Sequence, residues 1–213
     1  MKLSYDPDTK KIREKDPDAV REIIGGKTFA PPSLTWRTVR LLPLRTIDYE
    51  HVRHAETRSA EVLARWRFHG TTPSMEDWIR QTFSGTLATF LVWVANEPNA
   101  LGVVTAYDAS LDHGHVRIAA CRFEADDRSP AMIAGIGLMV RHLFSGWNLR
   151  KIYMDVPEYN LAQFANGLKD LVREEGRLLE HRFYGGSYWD EVTFALYRDR
   201  WLEVQDLLLP SDS

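Results

Sequence analysis

At 213 residues, with 44% apolar and 27% charged side chains, the chain has the size and composition of one globular domain with a sizeable core. A net charge of −3 suggests no general affinity for nucleic acid or an anionic membrane, and argues against a dedicated nucleic-acid binder but not against a local basic pocket. The single cysteine, Cys121, excludes an internal disulfide and fits a reducing compartment.

Residues 1 to about 33 stand apart as a charged N-terminal extension. One short helical candidate, roughly Asp16 to Ile24, ends at Gly25-Gly26, and Ala30-Pro31-Pro32-Ser33 reads as a linker. The main domain is expected over 34–201, with a tail over 202–213. Thr35 to Leu44 is strand-like, and Asp48 is placed to cap a helix through about Trp66. Ser74 caps a second helix, Met75 to Phe83. Ala88 to Ala95 and Ala100 to Asp108 flank Asn96-Glu97-Pro98-Asn99 and predict a hairpin. After the Asp112-His113-Gly114 turn comes a strand from His115 to Glu124.

A polar loop, Ala125 to Pro130, leads to a strongly apolar helix, Ala131 to Phe144. Lys151 to Val156 is a short buried strand. Asn160 to Glu174 carries Leu161, Phe164, Leu168 and Leu171 at helical spacing. Gly176 to Tyr184 and Tyr188 to Tyr197 form a hairpin around Gly185-Gly186, and the chain from Arg198 is partly helical. The order β, α, α, β, β, β, α, β, α, β, β predicts an α/β (mixed α+β) fold: a mixed, mostly antiparallel twisted sheet with helices on both faces.

Several segments together carry a family resemblance. Val39-Arg40-Leu41-Leu42-Pro43-Leu44 is similar to an opening strand written L-R-P-L, with Leu42 where an arginine is common. Phe144 to Val156, FSGWNLRKIYMDV, is similar to the end of a cofactor helix and the strand after it, and Asn160 matches the asparagine that follows. Glu174-Glu175-Gly176-Arg177-Leu178 and His181 match E-E-G-x-L…H, and Tyr188, Asp190 and Trp201 match the closing pattern. From Val39 to Trp201 the chain thus resembles the GNAT acyltransferases, in particular those that acetylate ribosomal-protein N-termini.

The resemblance implies a sheet splayed between its fourth and fifth strands. It implies acetyl-CoA or another acyl-CoA as co-substrate, its pantetheine arm paired with the fourth strand and its pyrophosphate at the loop and helix start that follow. A bulge in the fourth strand would leave an N–H to polarise the thioester. The implied cofactor residues are Cys121, Arg122, Phe123, Arg128, Ser129, Ala131, Met132, Ile133 and Asn160. Two positions depart from the pattern. The glycines of the pyrophosphate loop fall near Pro130 and Met132, which removes an N–H and adds bulk. The tyrosine that protonates the leaving thiolate falls at Gly167. Arg128 and Ser129 could compensate through side-chain contacts with phosphate.

The expected function is N-acyl transfer from acyl-CoA to a primary amine by direct attack in a ternary complex. The alternative is a GNAT-fold protein that has lost acetyl-CoA binding and acts as a binding or regulatory module, or catalyses a different biosynthetic reaction. Glu124, at the end of the fourth strand, and His113 and His115, at its start, are candidate bases, and Asn160 joins Glu124 and His115 as a candidate catalytic residue. His181 and Tyr188 are candidates for the acceptor side. Trp66, Trp78 and Trp93 read as core or cleft wall, and Cys121 as buried packing or a nucleophile without a base. No spaced Cys, His and carboxylate set suggests a metal site. The acceptor is a small-molecule amine or a protein N-terminus, with neither nucleic acid nor membrane as partner, and a homodimer is compatible with the sequence. With no apolar signal core in Met-Lys-Leu-Ser-Tyr-Asp-Pro-Asp, a cytoplasmic location is expected.

Overall fold

The structure is a computed structural model that describes residues 4–6, 11–13, 34–58, 62, 66, 69–124, 130–162 and 171–209. The chain divides into two compact units, Met1–Pro31 and Pro32–Ser213. In the first, β1 (Ser4–Asp6) pairs antiparallel with β2 (Lys11–Arg13). The helix expected over Asp16 to Ile24 lies outside the described residues.

The second unit holds an eight-stranded sheet. Its strands are β3 (Thr35–Trp36), β4 (Val39–Pro43), β5 (Thr86–Val94), β6 (Gly102–Ser110), β7 (His115–Arg122), β8 (Lys151–Pro157), β9 (Arg173–Tyr184) and β10 (Ser187–Tyr197). They lie in the order β3-β4-β5-β6-β7-β8-β10-β9, and every neighbouring pair is antiparallel except β7 with β8. The helices are α1 (Tyr49–Arg58), α2 (Met75–Phe83), α3 (Ala131–Gly146) and α4 (Arg198–Leu208).

The expected first strand is divided. Arg37, at φ +50°, turns the chain so that Thr35 and Trp36 pair back onto Arg40 and Val39. Asp48 does not cap α1 directly. It closes a 3-10 turn, Thr46–Asp48, and its carboxylate accepts the Arg45 backbone N–H at 3.0 Å. Ser74 caps α2 as expected, its hydroxyl accepting the Asp77 N–H at 3.1 Å. Of the helix expected from Asn160 to Glu174 the structure describes 160–162, helical at Leu161 and Ala162, and 171–174, where the chain is strand from Arg173. Glu174 and Glu175 therefore belong to β9, where Lys151, on the sheet, pairs with Glu175 at 2.6 Å.

Two cores result. One face of the sheet packs Val92, Val104, Val116, Ile152 and Phe194 against α3 and α4. Ten of the sixteen α3 residues are buried, which explains its apolar composition on nearly all sides. Its axis comes close to the sheet at Gly135, where a Cβ would stand 2.8 Å from both Val92 methyls. Arg198 ties α4 to the end of α3: Nε donates to the Leu149 carbonyl at 2.6 Å, Nη1 to Phe144 at 2.7 Å and Nη2 to Trp147 at 2.7 Å. The opposite face packs Leu91, Val103, Cys121 and Phe123 against Val52 and Ala55 of α1 and Trp78 of α2. Within this second core Glu56 is fully buried. Its two carboxylate oxygens accept the indole N–H of Trp66 and of Trp78, each at 2.8 Å.

The outer strand β9 is blunted. Leu179, Glu180 and His181 stand opposite Asp190 alone, with Glu180 at φ +49° donating its N–H to Asp190 at 3.0 Å.

Candidate active site

The site begins where two parallel strands part. β7 and β8 pair only at His115 with Lys151, Val116 with Ile152 and Arg117 with Tyr153. Beyond that row β7 continues to Arg122 and β8 to Pro157 with no further pairing between them. The splay expected between the fourth and fifth main strands is therefore present. The Phe123 N–H donates to Leu101, on the β6 side, at 3.0 Å. Strand alternation then turns the backbone groups of Ile118, Ala120 and Arg122 toward the gap. The bulge expected in β7 is not there. Its register with β6 runs unbroken from Arg117 to Arg122, and the extra residues, Asp108 and Ala109, lie on β6 opposite Val116.

On the sheet face shared with α1 and α2, the floor beside the gap is polar. Tyr107, Arg117 and Tyr153 form one row across β6, β7 and β8. Arg117 reaches forward to Asp155, which also accepts the Thr193 hydroxyl at 2.7 Å, and its Nε donates to Asp108 at 3.2 Å. Burial, the largest single influence, opposes the Arg117 charge, but the hydrogen bond and charge of Asp155 and the hydrogen bond to Asp108 together outweigh it, so its pKa is raised. Burial, reinforced by the Asp155 charge, pushes the Tyr107 phenol up, against the pull of Arg117. Farther out, Glu175 accepts from Lys151 and from the Tyr197 hydroxyl. Glu191 is buried and takes two contacts from Arg182, at 2.7 and 2.6 Å, with His181 at 3.3 Å. Two clefts open here. One, of about 490 Å³, is lined by Asp112, His113, His115, Arg150, Lys151 and Tyr153. The other, of about 350 Å³, is lined by His115, Arg117, Tyr153, Glu175, Gly176 and Thr193.

The candidate residues from the sequence fall at different ends of this arrangement. Glu124 is exposed past the end of β7 and ion-paired with Arg58. His115 lies on the polar floor, edge-on to Tyr153 at 5.5 Å and stacked on His113 at 6.5 Å; its Nδ1 is buried without a hydrogen bond among the described residues. Asn160 closes a 3-10 turn, Glu158–Asn160, after β8, and its Oδ1 is likewise buried and unpartnered among the described residues. Cys121 and Phe123 are buried in the second core, while Arg122 is half-buried. Ala131 and Met132 are buried at the start of α3, and the Ile133 N–H donates to the Pro130 carbonyl at 3.0 Å. Arg128, Ser129 and Gly167 lie outside the described residues. Tyr188 is exposed and packs on Phe183 at 5.1 Å, and Tyr159 packs on Tyr184 at 4.6 Å. Asp155, Thr193, Tyr107 and the Lys151–Glu175 pair were not among the candidates. One signal for part of this set was available: Lys151, Tyr153 and Asp155 alternate with Ile152, Met154 and Val156.

This arrangement of strands defines the GNAT fold, a mixed and mostly antiparallel sheet with four helices among the described residues. The chain is similar to the structure of spermidine N-acetyltransferase from Vibrio cholerae in complex with CoA and spermine. That likeness has a TM-score of 0.67 and 18% identity over 78% of this chain and 99% of that one. It is also similar to a protein described as a probable GNAT-family acetyltransferase from Chromobacterium violaceum, with a TM-score of 0.64 and 16% identity over 82% and 90%. No protein-family model and no curated protein sequence matches the chain.

Proposed function

We propose that the chain is an N-acyltransferase that moves an acetyl group from acetyl-CoA to the primary amine of a small molecule, by direct attack in a ternary complex. One observation carries this proposal: the gap between β7 and β8 opens beside the floor formed by Arg117, Asp155 and Thr193. A thioester laid along β7 and an amine resting on that floor would meet without a covalent enzyme intermediate. The new bond joins amine nitrogen to acyl carbon, and the carbon–sulfur bond breaks. Asp155 takes the first proton, which the ammonium loses before attack; the second, lost from the nitrogen as the amide forms, passes to solvent, and the sulfur leaves as thiolate, a good leaving group at neutral pH. The Tyr107 phenol, kept protonated, can donate a hydrogen bond on the same floor.

Acyl-CoA fits the strand part of the site. The backbone groups of Ile118, Ala120 and Arg122 offer a ladder to a pantetheine arm, and the buried Asn160 Oδ1 awaits a donor. The helix start fits less well, because Pro130 has no N–H and the Ile133 N–H is already bonded to it. That feature favours the second reading, a fold that has lost acyl-CoA binding. The CoA and spermine with which the Vibrio cholerae enzyme is complexed support the first. The likeness to the ribosomal-protein subgroup, through Asn160 and Trp201, belongs to the same proposal. Thiol release from acetyl-CoA, measured with a panel of primary amines, should rise above hydrolysis with at least one of them. No amine-dependent thiol release would remove the proposal.

A further inference from the structure

We infer that the amine acceptor carries an oxyanion, phosphate or carboxylate, and that the larger cleft seats it. This rests on the N-acyltransfer reading only in naming the ligand an acceptor. The two clefts share His115 and Tyr153 and so run together along β7 and β8, from Arg150 toward Asp155. Asp155 lies four residue steps along β8 from Lys151, about 13 Å. An amine at the gap would thus reach the first cleft with its far end.

The first cleft is built for an anion by the way Arg150 is held. Gly114, at φ +68°, has no side chain, and the Arg150 stem occupies that space, with a Cβ there meeting its Cγ at 3.2 Å. The Arg150 backbone N–H donates to the Gly114 carbonyl at 2.6 Å, and its Nε donates to the His113 carbonyl at 3.2 Å. The Arg150 side chain, exposed at the mouth of the cleft, is therefore held at Nε, while its two terminal nitrogens have no partner among the described residues. A preorganised fork of this kind suits the oxygens of phosphate or carboxylate. His115 lines the same cleft, its Nδ1 buried and without a partner among the described residues, and the His113 ring stacks beside it. Lys151 lines the cleft too, but Glu175 already balances its charge at 2.6 Å. Asp112 is the single carboxylate on this wall, and it forms no ion pair with Arg150 or Lys151 among the described residues.

The smallest probes are inorganic phosphate and succinate, titrated separately into the full chain while the side-chain signals of Arg150, His113 and His115 are followed by NMR. The inference predicts a saturable shift of the Arg150 Nε and His115 signals with at least one of them, and which anion acts tells phosphate from carboxylate. Arg150→Ala should weaken that binding about tenfold or more, the loss of charge-assisted hydrogen bonds. Arg150→Gln serves the same purpose should the alanine variant not fold. Asp112→Asn should strengthen binding, and Arg200→Ala, on α4 and paired with Glu203, should leave it unchanged. No saturable shift with either anion overturns the inference, as does an Arg150 variant that titrates like the wild type. Acetyl-CoA affinity, measured on the same samples, separates the outcomes: its loss removes the acyltransfer proposal and leaves the anion result standing.

Discussion

Arg117 on β7 reaches across to Asp155 on β8, one alternation beyond the last pair that the two strands make. The ion pair stands where backbone pairing stops, and Thr193 on β10 fixes the second carboxylate oxygen. Charge is placed beside the opening, with a sheet neighbour on each side to hold it.

Asp155→Asn preserves shape and removes the charge. If Asp155 takes the ammonium proton, kcat/KM for the amine should fall about 100-fold while acetyl-CoA affinity is unchanged. Steady-state kinetics and binding on one preparation check this. Equal loss of both would point to a collapsed floor instead.

Glu56→Gln tests the buried carboxylate of the second core. A glutamine keeps one acceptor oxygen and turns an NH2 toward the other indole N–H, leaving a buried donor unpaired. Unfolding in urea should show about 2 kcal/mol of lost stability. A variant as stable as the wild type would mean that the indoles of Trp66 and Trp78 find other acceptors.

The Lys151–Glu175 pair has a pH signature. Burial favours the neutral amine of Lys151, but hydrogen bonds with Glu175 and Tyr153 win and carry its pKa from 10.5 to about 12. Burial likewise favours the neutral acid of Glu175, and hydrogen bonds from Lys151, Tyr197 and Tyr153 hold it below the ordinary carboxylate value. The lysine contribution is complete below its unfolded pKa and is lost as pH rises through about 12. The glutamate contribution is present above its unfolded pKa and is lost as pH falls through the lower folded value. Lys151→Met should therefore lower the thermal midpoint most near neutral pH, with the difference from wild type closing at both extremes. Parallel curves across the whole range would contradict this.

Gly135→Ala should cost about 1–3 kcal/mol, because the new methyl meets Val92 at 2.8 Å. Val92→Ala in the same chain should recover part of that loss. A double-mutant cycle with no coupling would show that α3 shifts freely on the sheet.

Much of this fold was legible because local chemistry and pattern agreed. Asn96 and Gly185-Gly186 supply the positive φ that their hairpin turns need, and Ser74 caps its helix. The division at Arg37 was not legible, since an arginine in the left-handed region has no local signal. Glu174 reads as the end of a helix, yet it lies with Glu175 in β9, where Lys151 and Tyr197 bond Glu175 across the sheet. The polar floor stayed hidden for a related reason. Tyr107, Arg117, Asp155 and Thr193 come from four strands, and only register brings them together. What the resemblance placed well is the gap. What it did not place are Tyr107, Arg117, Asp155 and Thr193 beside it.

The gap between β7 and β8 is the proposed seat of acyl-CoA. Calorimetry of acetyl-CoA with the full chain, paired with thermal unfolding, tests it most directly. Saturable binding is predicted, with stabilisation reaching about 2.7 kcal/mol at a hundredfold excess over Kd, and Asn160→Ala should weaken it. The absence of heat and of any thermal shift with acetyl-CoA or longer acyl-CoAs, at roughly millimolar concentration, would contradict the account.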